Sequence, residues 1–536
     1  VSVIICEKDK NGVLVECKSY KKLIADNSES EYEFNQKIAD EENEFSLFAW
    51  ETDNIKPLSE NLTVGKMTRL YVATDGDDKN SGSVDSPFKT LQRARNEIRA
   101  TKDEIGDRGV TVYFREGEYF FDSHVRIDRV DSGKENAPII YRAYPGENVV
   151  FTGGYKIDKN DFVKADVADI LSDKSKADKI VQLNIPAEIN LSNELWRGAY
   201  SYNPIMQNIT GESGSNPVEL FIDDKAMTVA RYPNVGFLYT GEVIKTGAKP
   251  GHWSITDPSK PNYVVPEDRV ATPFEIRVND ERVKKWTGAE NALLYGRWSD
   301  DWLDQTVPVG SINADVITSK YPALYGVGEN RPFYIYNLLE EIDSPGEYYI
   351  DREKRILYLY PPENFHDIYL SVHETSGFFT LYYASNVEIR DITMKCGRYR
   401  AVTISGGETN LVENCEIYNF ANHGVYIGGG QNNGVKNCVI HDNNRGVYLS
   451  GGDRETLVSG GNFVKNCDIY SNDRISKTYS PCVEVHGVGN IVAHNKIHEA
   501  EHDLIELSGN ENVIEYNEIY NGVTDSDDAG ALYSCR

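Results

Sequence analysis

The residues best suited to chemistry are acidic, and they recur at intervals toward the C-terminal end of the sequence. Asp527-Asp528 precede Ala529-Gly530-Ala531 and an apolar, strand-like run. Upstream lie His502-Asp503 with Glu506, then Glu484 with His486, then Asn444-Arg445 and Asn422-His423. A pair of carboxylates can cleave a glycosidic bond. One protonates the leaving oxygen, and the other attacks the sugar or activates water, at a separation of about 5 Å or wider. Close carboxylates also push one pKa upward, which makes a general acid. Asp528, Asp527, Glu506 and Asp503 are therefore the catalytic candidates. His423, Arg445, Glu484, His486 and His502 are the polar groups able to bind substrate beside them. Trp298-Ser299-Asp300-Asp301-Trp302 supplies two indoles, Trp298 and Trp302, suited to stacking on a sugar ring or to filling a core.

These residues come together because the chain repeats. Arg-Asp-Ile392, Asn-Cys-Glu-Ile417, Asn-Cys-Val-Ile440, Asn-Cys-Asp-Ile469, His-Asn-Lys-Ile497 and Tyr-Asn-Glu-Ile519 recur at intervals of 22–29 residues. Between them a second strand recurs as Val402-Thr403-Ile404, Val425-Tyr426-Ile427, Val447-Tyr448-Leu449, Val483-Glu484-Val485 and Ile505-Glu506-Leu507. A period in the twenties with short β segments predicts a parallel β-helix, whose coils stack at the strand spacing of about 4.8 Å. The isoleucines then form one inner column. Cys415, Cys438, Cys467, Asn495 and Asn517 form another, as ladder residues and not ligands. The middle residue of each second strand points outward, giving Thr403, Tyr426, Tyr448, Glu484 and Glu506, with His486 and Ser508 two positions on. An ordinary solvated strand face would carry Lys, Thr and Ser. Here Tyr, His, Arg and carboxylates share one face, and His423, Arg445, Glu484, His486, Asp503, Glu506 and Asp528 are expected to line one groove.

The rest of the chain divides into three parts. Residues 1–64 form a small β-sandwich-like domain in which Asn11-Gly12 makes a tight hairpin turn. Counting outward from that turn sets Cys6 opposite Cys17, as a disulfide or as two thiols. Residues 65–160 hold a capping helix and the first coils. Ser86-Pro87 is expected to open the helix, with Phe88, Leu91, Ala94 and Ile98 on its apolar face. Such a cap covers the core that a solenoid exposes at its end. Residues 161–380, rich in Pro, Gly and Trp, form a β-rich insertion, and residues 381–536 carry the repeats. The fold class is all-β, a right-handed parallel β-helix.

The 536 residues carry 84 Asp+Glu against 56 Lys+Arg, a net charge of −28. That charge repels phosphate backbones and excludes nucleic acid as a partner. It also disfavours polyanionic glycans unless a cation intervenes. The 34 Tyr against 18 Phe fit a wet contact surface. No apolar run reaches the roughly 18 residues of a transmembrane helix. No Cys/His cluster has zinc spacing. Asp75, Asp77 and Asp78 offer oxygen ligands for a structural calcium, although a plain loop explains them as well. No other cofactor is expected. Residue 1 is Val, and the sequence stops within an apolar strand pattern. The chain is therefore expected to be an excerpt of a longer polypeptide with further domains.

Four motifs in order carry a resemblance. Tyr71-Val72-Ala73-Thr74-Asp75-Gly76-Asp77-Asp78 with Ser86-Pro87-Phe88-Lys89-Thr90-Leu91 resembles the opening of bacterial right-handed parallel β-helix proteins. Glu219-Leu220-Phe221-Ile222-Asp223 with Ala230-Arg231-Tyr232-Pro233-Asn234 resembles their insertion. So does Gly346-Glu347-Tyr348-Tyr349-Ile350-Asp351 with Leu357-Tyr358-Leu359-Tyr360-Pro361-Pro362. Asn512-Val513-Ile514-Glu515-Tyr516-Asn517-Glu518-Ile519 with Asp527-Asp528-Ala529-Gly530-Ala531-Leu532-Tyr533 resembles the active-site coil of glycoside hydrolase family 141, the fucosidase-type β-helix enzymes. The resemblance implies a secreted or cell-surface hydrolase of a neutral or fucosylated oligo- or polysaccharide. It places one catalytic carboxylate at Asp528, with Asp527 beside it, and the partner on a coil after Arg536. The competing expectations are a polysaccharide lyase of the same fold and a non-catalytic glycan-binding or adhesive surface protein.

Overall fold

The computed structural model describes residues 2–8, 14–21, 44–51, 56–57, 62–64, 67–106, 108–191, 216–247, 272–286, 289 and 291–534, with side chains from residue 67 onward. The chain forms two compact units. One comprises Val1–Glu116, Val130–Glu147 and Ala384–Glu388, and the other Gly117–Arg129, Asn148–Tyr383 and Ile389–Arg536.

In the first unit, Ser2–Lys8 pairs antiparallel with Leu14–Lys21 and with Glu44–Glu51. The register sets Cys6 opposite Cys17. The Asn11-Gly12 turn and the cysteine side chains, and with them the disulfide, lie outside the described residues. Thr68–Val72, Val110–Phe114 and Ile139–Ala143 pair in parallel. An amphipathic helix, Leu91–Ala100, buries Leu91, Ala94 and Ile98. It starts later than Ser86-Pro87 suggests. Ser83 bridges Ser86, and Phe88 bridges Val72, so the chain stays extended through Phe88. Thr90 is the cap, its hydroxyl accepting the Arg93 N–H at 3.1 Å. Asp78 fixes this start by accepting the N–H groups of Lys89 and Thr90 and the Thr90 hydroxyl at 2.8–2.9 Å. Asp77 accepts the Lys79 N–H. Two of the three calcium candidates thus accept main-chain N–H groups, Asp77 within its loop and Asp78 at the helix start.

The second unit holds the repeats. Each coil gives one short strand to each of three parallel sheets; Gly434–Lys436, Val439–His441 and Arg445–Gly451 make one such coil. The inner column of the second sheet runs Met394, Ile417, Ile440, Ile469, Ile497, Ile519 in direct register. Ile392 does not belong to it. Its carbonyl accepts the Glu416 N–H, the place Cys415 takes on the next coil toward Val439. Ile392 therefore heads the thiol column, and Met394 heads the isoleucine column. Asp391, Asn414, Asn437 and Asn466, one residue earlier, all have φ of 55–59°, the left-handed turn that Asn and Asp tolerate best.

Main-chain groups at the corners are satisfied by side-chain ladders. Cys467 N–H donates to Asn495 Oδ1 and Asn495 N–H to Asn517 Oδ1, both at 2.9 Å. A second set of rungs, invisible in the alignment of isoleucines, joins Asn410 N–H to Asn433 Oδ1, Asn433 N–H to Asn462 Oδ1 and Asn490 N–H to Asn512 Oδ1 at 2.8–3.0 Å. A buried N–H left unpaired would cost about 1–3 kcal/mol, so each rung fixes a corner.

The insertion's strands run from Gly154–Ile157 to Ile368–Ser371. They build mainly antiparallel sheets around their own apolar clusters, with one parallel pair between Thr228–Val229 and Glu347–Asp351. The chain returns to the coils at Phe379–Tyr382. Among the described residues no helix is long and apolar enough to cross a membrane.

On the outer side of the second sheet Tyr418, His441, Tyr470, His498 and Tyr520 stack ring on ring at 4.6–5.0 Å. Burial pushes the His441 pKa down, but Asp442 at 2.7 Å and Glu416 at 3.7 Å outweigh it and hold the ring up at about 9. A folded pKa above the unfolded value of about 6.5 stabilises fully below pH ~6.5 and is lost as pH rises through the folded value. The stability difference between the parent and His441→Gln should therefore shrink from pH 6.5 to 9 in parallel urea titrations. Ile469 is fully buried. Ile469→Ala should cost about 2–5 kcal/mol by the same measurement, and Ile469→Asp more, through an unpaired buried charge.

Candidate active site

The third sheet carries the polar face. Its strands Phe379–Tyr382, Val402–Ser405, His423–Gly428, Arg445–Gly451, Val483–Gly487, Ile505–Leu507 and Leu532–Ser534 pair in sequence. The register aligns Thr403, Tyr426, Tyr448, Glu484, Glu506 and Tyr533 in one outer column. Inner neighbours Val425, Val447, Val483 and Ile505 are fully buried, so the alternation of the strand fixes which side chains face out.

Glu484 is the hub, only 5% exposed. Its Oε1 accepts from Arg445 Nη1 at 2.7 Å and lies 3.0 Å from His423 Nε2. Its Oε2 lies 3.7 Å from His486 Nε2. Burial opposes ionisation, but Arg445 and His423 outweigh it and hold the carboxyl well below the usual range. Burial pushes His423 down to about 4 against the pull of Glu484, so the ring is neutral at pH 7. Glu506 is in register beside Glu484. Burial, then the Glu484 charge, raises its pKa. The pKa values of two carboxylates one strand apart are thus pushed in opposite directions, Glu484 down and Glu506 up.

Aromatic groups floor the upstream part. Tyr426 and Tyr448 stack at 4.4 Å with an interplanar angle of 10°, and Arg400 lies 3.8 Å over the Tyr426 ring. Burial pushes Tyr448 up to about 12, so the phenol keeps its proton. His423 and His486 both contact Tyr448, at 5.7 and 5.1 Å. Arg400 is absent from the sequence-derived candidates; its position two residues before Val402, matching His423 before Val425 and Arg445 before Val447, is the signal that identifies it.

The remaining candidates fall elsewhere. Asp503 is fully buried; its Oδ1 accepts the Gly530 N–H at 3.2 Å, and its Oδ2 lies 2.7 Å from His502 Nδ1. Both side chains are sealed in the wall and do not line an open groove, because the following coil packs on them. Asp527 and Asp528 are exposed, and Asp528 takes φ of 50°. Trp298 is 3% exposed, its N–H donating to the Gln305 carbonyl and its ring packed on Phe274 and Phe333. It belongs to the insertion core. Trp302 is half-buried and meets Tyr325 at 5.1 Å and Tyr479 at 6.3 Å. Tyr479 in turn meets His502 at 4.8 Å, so the insertion reaches this end of the face. Arg297 also binds Asp525 at 3.0 Å, and Asp304 accepts from Lys477 N–H and the Thr478 hydroxyl. Among the described residues no group of three or more His, Cys, Asp or Glu is placed to hold a metal ion.

Removing one partner of a buried ion pair typically costs about 3–5 kcal/mol, because the other charge is left uncompensated. Arg445→Met should destabilise by that order in urea unfolding. Adding Glu484→Gln to it should restore part of the loss, a positive coupling in the double-mutant cycle.

Residues 363–474, well short of half the chain, match the family model described as "Right handed beta helix region". Uncharacterized protein YwoF of Bacillus subtilis (strain 168) is 39% identical over 84 residues, 16% of this chain and 15% of that protein. Pectate lyase PEL9 of Emericella nidulans is 36% identical over 84 residues, 16% of this chain and 18% of that protein. The matched stretch thus spans less than a fifth of either relative. A solved structure titled "Glycoside hydrolase" superposes with a TM-score of 0.61 at 16% identity, over 87% of this chain and 85% of that one. Together with the parallel coils, these likenesses establish the fold as a right-handed parallel β-helix, shared with a glycoside hydrolase.

Proposed function

We propose that the chain carries the substrate face and a general acid of an extracellular carbohydrate-active enzyme, a glycoside hydrolase acting on an oligo- or polysaccharide laid along the third sheet. The observation that carries this reading is the Glu484–Glu506 pair. Glu506, raised by burial and by the fixed negative charge beside it, is suited to protonate a glycosidic oxygen. The half-buried Tyr426 and Tyr448 supply the amphipathic surface a sugar needs. Asp528, carried by the resemblance of its segment and exposed, is the second carboxylate, with Asp527 next in line. Trp302 and Tyr479 bound the face. Asp503 and His502 act from behind it, through Gly530 and Tyr479. A neutral or fucosylated glycan suits the net charge of −28 better than a uronate polymer.

The named pectate lyase among the relatives favours a second reading, β-elimination of a uronate polymer. Reducing-sugar release from neutral polysaccharides and aryl glycosides, without new absorbance near 235 nm, supports hydrolysis. Absorbance growth that EDTA abolishes supports elimination, and binding without turnover supports an adhesive protein. Under hydrolysis, Glu506→Gln should lower kcat by about 10²–10⁴ while far-UV circular dichroism is unchanged. A parental rate in that variant removes Glu506 from the mechanism and leaves Asp528→Asn as the next test. A general acid loses activity as pH rises through its pKa. Glu484→Gln removes the neighbouring negative charge, so the alkaline limb of kcat/KM should move to lower pH.

A further inference from the structure

Two residues beyond Glu484 and Glu506, the same strands bring together groups that glycosidic cleavage does not use. His486 follows Val485 and Ser508 follows Leu507, one step beyond the Val485–Leu507 register pair. The Ser508 hydroxyl lies 2.6 Å from His486 Nδ1. The other ring nitrogen, Nε2, lies 3.7 Å from Glu484 Oε2. Glu484 is itself immobilised through Oε1 by Arg445 and His423. Ser508 and His486 are both partly exposed, whereas Glu484 is buried. We propose that Ser508, His486 and Glu484 form a nucleophilic relay that removes acyl groups from the hydroxyls of a glycan, an activity separate from cleavage of the glycosidic bond.

The roles follow from the geometry. A carboxylate facing Nε2 favours the tautomer with the proton on Nε2, which leaves Nδ1 as an acceptor for the Ser508 hydroxyl. That is the serine–imidazole–carboxylate arrangement, recognised by roles and distances and not by order in the chain. Glu484 acts through His486 and is a positioning residue. Its contact to Nε2 is longer than a hydrogen bond, as such contacts often are before substrate closes on them. In the reaction Ser508 Oγ attacks the ester carbonyl carbon, and its proton passes to His486 Nδ1. The tetrahedral adduct collapses, the bond from acyl carbon to sugar oxygen breaks, and the sugar hydroxyl leaves with that proton. Water, deprotonated by His486, then attacks the acyl-serine. A carboxylic acid is released and Ser508 regains its proton. Water is the sole co-reactant, and no oxidant or metal is required. The choice of a glycan ester as acyl donor rests on the glycan reading above, whereas the nucleophile does not.

The test separates these two levels. The chain is treated with a fluorophosphonate probe and digested, and the labelled peptide is identified by mass spectrometry. In parallel, hydrolysis of 4-nitrophenyl acetate is followed, and acetate release from chemically acetylated xylan is measured. The expected result is a single label on Ser508 and turnover of the aryl ester. Ser508→Ala should lose the label and at least a hundredfold in rate, with its circular dichroism unchanged. Glu484→Gln should lower kcat with KM nearly constant, as a positioning role requires and a loss of binding would not. Absence of label on Ser508, or a parental rate in Ser508→Ala, overturns the relay. Labelling and aryl-ester turnover without acetate release from the polymer overturns the glycan donor and leaves the nucleophile standing.

Discussion

Everything at the candidate site depends on the parallel register between successive coils. A strand that slips by one residue against its neighbour turns every side chain to the opposite face. Here the inner residues forbid it. Val447 must lie on Val483, and Val483 on Ile505, because each is fully buried. The outer column Tyr448, Glu484, Glu506 follows without further choice. The asparagine ladders reinforce the same constraint at the corners, since Asn462 can satisfy both its own coil and the Asn433 N–H only in one register. The separation of the two glutamates is thus a property of the backbone spacing, about 4.8 Å, and owes little to the flexibility of their own side chains.

That spacing has an electrostatic consequence. Two ionised carboxylates one strand apart repel strongly in a partly dry face. The protein does not relieve this by separating them. It surrounds one with Arg445, His423 and His486, which share its two oxygens, and leaves the other on the edge of the cluster. Burial, and then the fixed charge on Glu484, raise the Glu506 pKa. The same fixed charge faces His486 and sets the direction in which that ring can hand over a proton. A buried salt bridge of this kind adds little to stability when compared with an apolar replacement. Its presence among strands that are otherwise packed with valine and isoleucine points to chemistry.

Much of this was legible in the sequence where a period of two coincided with a long repeat. The outer column, the thiol column and four of the five isoleucine steps follow from alignment alone. The first step fails because Thr393-Met394 replaces the Ile that marks the strand elsewhere, and Ile392, two residues early, is the nearest isoleucine to the eye. The helix start fails because Ser86-Pro87 has the chemistry of a cap, while the bridge from Phe88 to Val72 holds that segment extended. Tertiary pairing overrides local preference there. The Asn410 ladder is hidden because its residues sit at a corner where neither strand period applies. The convergence of His423 on Glu484 spans 61 residues and skips a coil. It requires side-chain reach across the sheet, which spacing does not encode.

The burial of Asp503 and Trp298 shows where residue type misleads. Both have the chemistry of a sugar site, and both lie within the chain segments that frame the face. Asp503 stands in the same register column as His423 and Arg445, but its coil is followed by another whose Gly530 N–H needs an acceptor. The carboxylate meets that need. Trp298 offers its indole N–H to a carbonyl of its own sheet, and its ring fills a cluster already rich in aromatic groups. In a stacked fold an outward side chain either stays open beside its neighbours or is covered by the adjoining coil, and a covered one holds that coil in place. Position along the stack therefore decides between catalysis and support for side chains that are chemically the same. Glu506 and Ser508 stay partly open on the coil where Asp503 is covered.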